Sequence, residues 1–163
     1  MSSEPARKLL TEGVQELYYT EQQLLDALDT LSEQTEHEDA ERAFSEHREE
    51  TQEQVDRLEE VFELIDAEEE TKRERVVDAM IEEHEEFAGE NEGPTLDRYN
   101  IALEQKIEHY EIAAYSNVTS LAGKLGHDEA ADLLEENLQE EEQALEELSE
   151  TGEQFDRQEI AEG

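Results

Sequence analysis

The chain has 163 residues and no cysteine, with 50 acidic residues against 12 lysines and arginines, a formal charge of −38. So acidic a surface repels nucleic-acid phosphates and anionic lipid, which excludes both as expected partners, and the lack of cysteine excludes a disulfide framework and a thiolate metal site. Disorder is excluded by a hydrophobic content of 34% laid out with a helical period, and 7 glycines and 2 prolines leave little from which to build many turns, so the expectation is one all-helical domain.

A first helix is predicted from Ser2 or Ser3, with Pro5 tolerated in its first turn, to about Thr35. A second begins near His37 and carries Phe44, Leu58, Val61 and Ile65. A shorter helix lies around Lys72 to Phe87, before the turn signal GENEGPT. The third long helix spans about Thr95 to Leu125 and stops at Gly126. A fourth follows from about Asp128 to Ser149, and residues 152–163 form a flexible tail outside the 1–151 domain. Only a few residues join the first helix to the second and the third to the fourth, so these pairs are antiparallel. The long middle connection can cross back along the bundle, which predicts an antiparallel four-helix bundle with one long crossover and a short fifth helix. The N-terminal MSSEPARKLL lacks the apolar run of a signal peptide and no stretch reaches transmembrane length, so the expected location is cytoplasmic. Few lysines beside so many acids read as a halophilic protein, because 1 M salt screens charge over about 3 Å.

Against this layout several acids stand where leucine is expected. In the first helix Leu10, Val14, Leu17, Leu24 and Leu28 form an apolar row, and Glu21 occupies its middle. In the fourth, Leu134, Leu138, Leu145 and Leu148 form a similar row centred on Glu141, with Glu140 beside it. Glu50 shares a face with His47, Gln54 and Val61. Glu108 and Glu111 share a face with Ile101, Tyr115 and Val118. An offset of 90 residues relates the two halves: Leu17 falls on Ile107, Glu21 on Glu111, Leu28 on Val118, Ala40 on Ala130, Glu50 on Glu140 and Leu58 on Leu148. The halves read as duplicated helical hairpins, each presenting two carboxylates. This register favours Glu140 as the fourth-helix acid, whereas the leucine row favours Glu141.

Four buried negative charges cost several kcal/mol each unless neutralised. Protons could neutralise them, or a pair of metal ions held by hard carboxylate oxygens, a known arrangement in such bundles.

The stretches LYYTEQQL, FSEHREETQEQVDRLEEVFELI, KIEHYEIAAY and LLEENLQEEEQALEEL, and above all HYEIAAY followed by LAGKLGHDEAADLLEE, resemble the YciE/YciF-like family of ferritin-like stress proteins from about residue 8 to 150. The resemblance implies a ferritin-like bundle related to rubrerythrin, a homodimer, and a role in stress. By likeness to the wider di-iron carboxylate group it also implies Glu21, Glu50, Glu108, Glu111 and Glu140 as ligands of a dinuclear iron or manganese centre. This sequence departs from that group where Glu-x-x-His is expected: it reads Glu50-Thr-Gln-Glu53 and Glu140-Glu-Glu-Gln143. His47, one turn before Glu50, is the available nitrogen ligand, and the oxygen-rich set also admits calcium or magnesium. Tyr18 and Tyr115 are expected in the core with hydroxyls bonded to carboxylates, His109 at a packing or dimer contact, and His37, His84 and His127 at surface or capping positions. Three function classes follow: a redox-active metal protein, a bundle that uses metal only for cohesion, and a metal-free stress protein acting through its surface.

Overall fold

The computed structural model describes residues 3–160. Five helices form, α1 (Ser3–Gln34), α2 (Glu38–Leu64), α3 (Arg75–Glu90), α4 (Gly93–Lys124) and α5 (Asp128–Glu159), with no strand among the described residues. α1 pairs with α2 and α4 with α5 as antiparallel hairpins. α2 against α5 and α1 against α4 close the bundle, and α3, carried in the crossover, docks on α4. No helix among the described residues is long and apolar enough to cross a membrane.

Local chemistry sets the turns. His37 caps α2 by accepting from the Ala40 amide at 3.3 Å. Gly126, with φ of +85°, follows the α4 C-cap in the left-handed region that glycine adopts without strain. At the start of α4, Asp97 is buried and its carboxylate accepts from the backbone amides of Glu36 and His37, both at 3.1 Å.

Three expectations are corrected here. The crossover helix begins at Arg75 rather than Lys72, because Lys72 is tied to α1: its amide donates to the Gln15 carbonyl at 3.1 Å and its ammonium lies 3.2 Å from Glu12. α5 does not end at Ser149. It continues to Glu159, because Gly152 packs against Ile101, Phe155 is buried, and Arg98 holds Asp156 through bonds of 2.7 and 3.2 Å. Residues 161–163 of the expected tail lie outside the described residues. His84 is buried rather than superficial, with Nε2 3.0 Å from Asn100 Oδ1, and joins α3 to α4.

The core divides in two. One apolar cluster includes Leu10, Leu17, Leu58, Phe62, Val118 and Leu134, and the other includes Leu24, Leu28, Phe44, Ile101, Ile107 and Leu148. Both obey the helical period of their sequences. At the level between them the same stripes carry Glu21, His47, Thr51, Glu108, Glu111, Asn137 and Glu141, all buried.

Candidate metal centre

Each side chain of this polar layer is fixed by the stripe it interrupts. Glu21 lies one turn from both Leu17 and Leu24, which are buried above and below it. In α4 the row Ile101, Glu104, Glu108, Glu111, Tyr115, Val118 advances by three or four residues throughout, so three carboxylates inherit an inward direction from apolar neighbours. α5 contributes Glu141 and α2 contributes His47.

One ligand atom from each of His47, Glu108, Glu111 and Glu141 lies within 4.8 Å of the others. His47 Nε2 is 2.5 Å from Glu108 Oε1, 3.6 Å from Glu104 Oε1 and 3.7 Å from Glu141 Oε2. Glu21, outside that set of four, is fully buried beside Glu111. Among the described residues, both oxygens of Glu21, Glu104, Glu108, Glu111 and Glu141 and both ring nitrogens of His47 are buried without an aligned hydrogen-bond partner. Native interiors leave few such groups, so this concentration is what a bound ligand would satisfy.

Burial dominates the electrostatics. It raises the pKa of Glu21, Glu108 and Glu111 well above the usual carboxylate range, and the negative Glu141 adds to each shift. Glu104 is pushed up to about 7 by burial, against the opposing pull of His47. Glu141 moves the other way: burial opposes its charge, but hydrogen bonding with Glu108 and the charge of His47 hold it below the usual value. Burial likewise opposes a charge on His47, yet Glu108 and Glu141 outweigh it and raise its pKa well above that of a free imidazole. Without metal, burial favours the protonated forms of Glu21 and Glu111, and His47 holds its charge against Glu108 and Glu141, which lie 2.5 and 3.7 Å from its Nε2.

Not every candidate points inward. Glu50 is partly exposed, its Oε1 3.5 Å from His47 Nδ1, on the outer side of the imidazole. Glu140 lies outside the cluster, where Arg57 Nη1 donates to it at 2.5 Å and Gln54 Nε2 at 3.3 Å. The repeat register that pairs Glu50 with Glu140 holds, but it pairs two outward positions. The inward ones are a residue further on, at Thr51 and Glu141. Tyr18 donates to Glu59 at 2.9 Å, a carboxylate outside the cluster, whereas the Tyr115 hydroxyl accepts from Asn137 Nδ2 at 3.2 Å rather than meeting an acid. His109 is exposed. Sequence reasoning missed Glu104, although its place three residues after Ile101 and four before Glu108 puts it in the same stripe.

The donors fit a metal: five carboxylates supply hard oxygen and one imidazole supplies nitrogen, a set suited to iron or manganese. The fit departs from the usual di-iron pattern at two points. α2 carries His47-x-x-Glu50, in reversed order, and α5 has Ala144 where a histidine would follow Glu141.

The sequence profile of the family described as "Domain of unknown function (DUF892)" matches residues 5–161. Protein YciF of Escherichia coli K12 is 39% identical over 129 residues, which span 76% of this chain and 76% of that protein. The crystal structure of the E. coli stress protein YciF superposes with a TM-score of 0.87 at 32% identity, covering 92% of this chain and 96% of that one. YcfI of Rhodopseudomonas palustris gives 0.85 at 36% identity, covering 88% and 92%.

Proposed function

The chain belongs to the DUF892 family, with the E. coli stress protein YciF among its relatives, and we propose that it is a stress-associated protein whose buried cluster binds a dinuclear iron or manganese centre. The observation that carries this reading is the set of five carboxylates and one imidazole, buried between four helices with polar atoms that lack an aligned hydrogen-bond partner among the described residues. His47, Glu108, Glu111 and Glu141 would hold the metal, with Glu21 and Glu104 at hand to complete two sites. Iron or manganese bound there would supply one-electron chemistry toward oxygen or peroxide.

The chain's own residues prepare for a cation in three ways. The raised pKa values of Glu21, Glu108 and Glu111 favour their protonated forms, so metal binding displaces protons and affinity rises with pH. Glu50 lies 3.5 Å from His47 Nδ1, on the side away from the cluster, where a carboxylate favours the charged or metal-bound imidazole. Arg57, bonded to both Glu140 and Asn137, holds Glu140 out of the layer and keeps a cationic side chain at the rim, where it does not compete for the site.

Elemental analysis tests the reading, on protein as purified and after anaerobic loading with ferrous iron or manganese, beside Glu111→Gln. The expected result is about two ions per chain, reduced in the variant. Absence of stoichiometric metal from every loaded sample overturns it. That result would favour a metal-free stress protein acting through its surface, possible because raised carboxyl pKa values let protons neutralise the layer.

A further inference from the structure

We propose that the cavity between α2, α4 and α5 is the uptake route by which a hydrated divalent cation reaches the buried cluster, Glu46 and Glu147 gathering it and Glu50 passing it inward. This rests on the metal-binding reading above. The cavity is about 230 Å3, and among the described residues no lysine or arginine lines it. This is room for several water molecules, so a cation can enter with part of its hydration shell.

Its lining grades from solvent to site. Glu46 and Glu147 are exposed, Glu50 is half-buried, and His47, Glu104 and Glu108 are more than nine-tenths buried with unpartnered polar atoms. A cation moving along this gradient exchanges water for carboxylate oxygen stepwise, so no stage requires complete dehydration at once. Ala144 lies on the wall, and its methyl leaves open the space a larger side chain would fill. Other depressions lead elsewhere. The one at Gln23 and Asp26 reaches Leu31, Leu103 and Ile107, and the one between α1 and α4 reaches Leu17 and Val118.

The experiment is stopped-flow uptake of cobalt(II), followed by its visible absorption in the full-length protein. Three variants are compared with the parent: Ala144→Leu, which narrows the cavity; Glu46→Gln with Glu147→Gln, at the mouth; and Glu83→Gln with Glu86→Gln, an equal charge change on α3. The first two should slow uptake about tenfold with final stoichiometry unchanged, and the α3 pair should match the parent. In Ala144→Leu release should slow in parallel, since the ion leaves as it enters. Parental uptake rates in both cavity variants overturn the route, as does equal slowing by the mouth and α3 pairs, which would mean attraction by overall charge. The mouth pair is at the surface and keeps the test intact if Ala144→Leu does not fold. Failure of the parent to take up cobalt, iron or manganese would instead overturn the metal-binding reading on which the route depends.

Discussion

The α1–α2 hairpin and the α4–α5 hairpin share a backbone plan and carry opposite loads at the polar layer. At an offset of 90 residues, Glu21 faces Glu111 as a matched pair, but Val14 corresponds to Glu104, Tyr18 to Glu108, His47 to Asn137 and Thr51 to Glu141. In this layer the second hairpin therefore buries four carboxylates and the first buries one carboxylate and the imidazole. Thr51 turns its hydroxyl to the His47 carbonyl at 2.7 Å and is satisfied within its own helix, whereas Glu141 in the equivalent position depends on the opposite hairpin for its counter-charge. Duplication supplies the levels at which side chains meet, and divergence between the copies supplies the chemistry.

Making the first hairpin resemble the second is the strongest way to break this contrast. His47→Asn, which copies Asn137, removes the positive partner of Glu141 from a buried site. The metal-free variant should lose about 3 kcal/mol in urea unfolding at pH 7, and bind metal more weakly. An unchanged urea midpoint would show that the imidazole carries no charge there.

The next effect follows from the second hairpin's surplus of acids. Glu104 has a folded pKa of about 7, above the unfolded value, so its contribution is complete below the unfolded carboxyl value of 4.5 and is lost as pH rises through about 7. Glu21, Glu108 and Glu111 act in the same direction, and Glu141, shifted down, acts in the opposite one. Urea midpoints of the metal-free protein should thus fall between pH 4.5 and 7. Glu104→Gln should remove on the order of 3 kcal/mol of that fall, and bound manganese should suppress most of it. A pH-independent midpoint over this range would mean that the second hairpin's acids are solvated.

The smallest effects sharpen the packing side of the comparison. In α1, a Cβ at Gly13 would stand 2.7 Å from Val118 Cγ1, so Gly13→Ala should cost about 1–3 kcal/mol by thermal melting. In α4, Gly123 has nothing within 4 Å of that position, and Gly123→Ala should stabilise by about 0.5–1 kcal/mol. Equal responses would show that the close approach of α1 to α4 is not fixed at Gly13.

Periodicity made most of this bundle readable in advance. The long helices, the crossover and the inward placement of Glu21, Glu108 and Glu111 follow from apolar rows that continue on either side of each acid. Glu140 and Glu141 show where such reading stops. They differ by about 100° of helix rotation, and the repeat and the leucine row point to different members of the pair. Only the position of α5 against α2, which gives Glu140 to Arg57, separates them. Gly152 similarly reads as a helix stop in one dimension, while in three it is the gap into which Ile101 fits. His84 gave no signal, because its burial depends on where the crossover lays α3 over Asn100.

Asp97 has a consequence for the order in which the molecule is made. The turn joining α1 to α2 is closed by a carboxylate about sixty residues downstream, which accepts the two amides that the turn itself leaves open. A chain emerging from the ribosome N-terminus first can align its first two helices early, but it finishes that turn only when the start of α4 has been synthesised. The two hairpins, alike in plan, are not interchangeable as folding units: the first waits for the second to hold it shut.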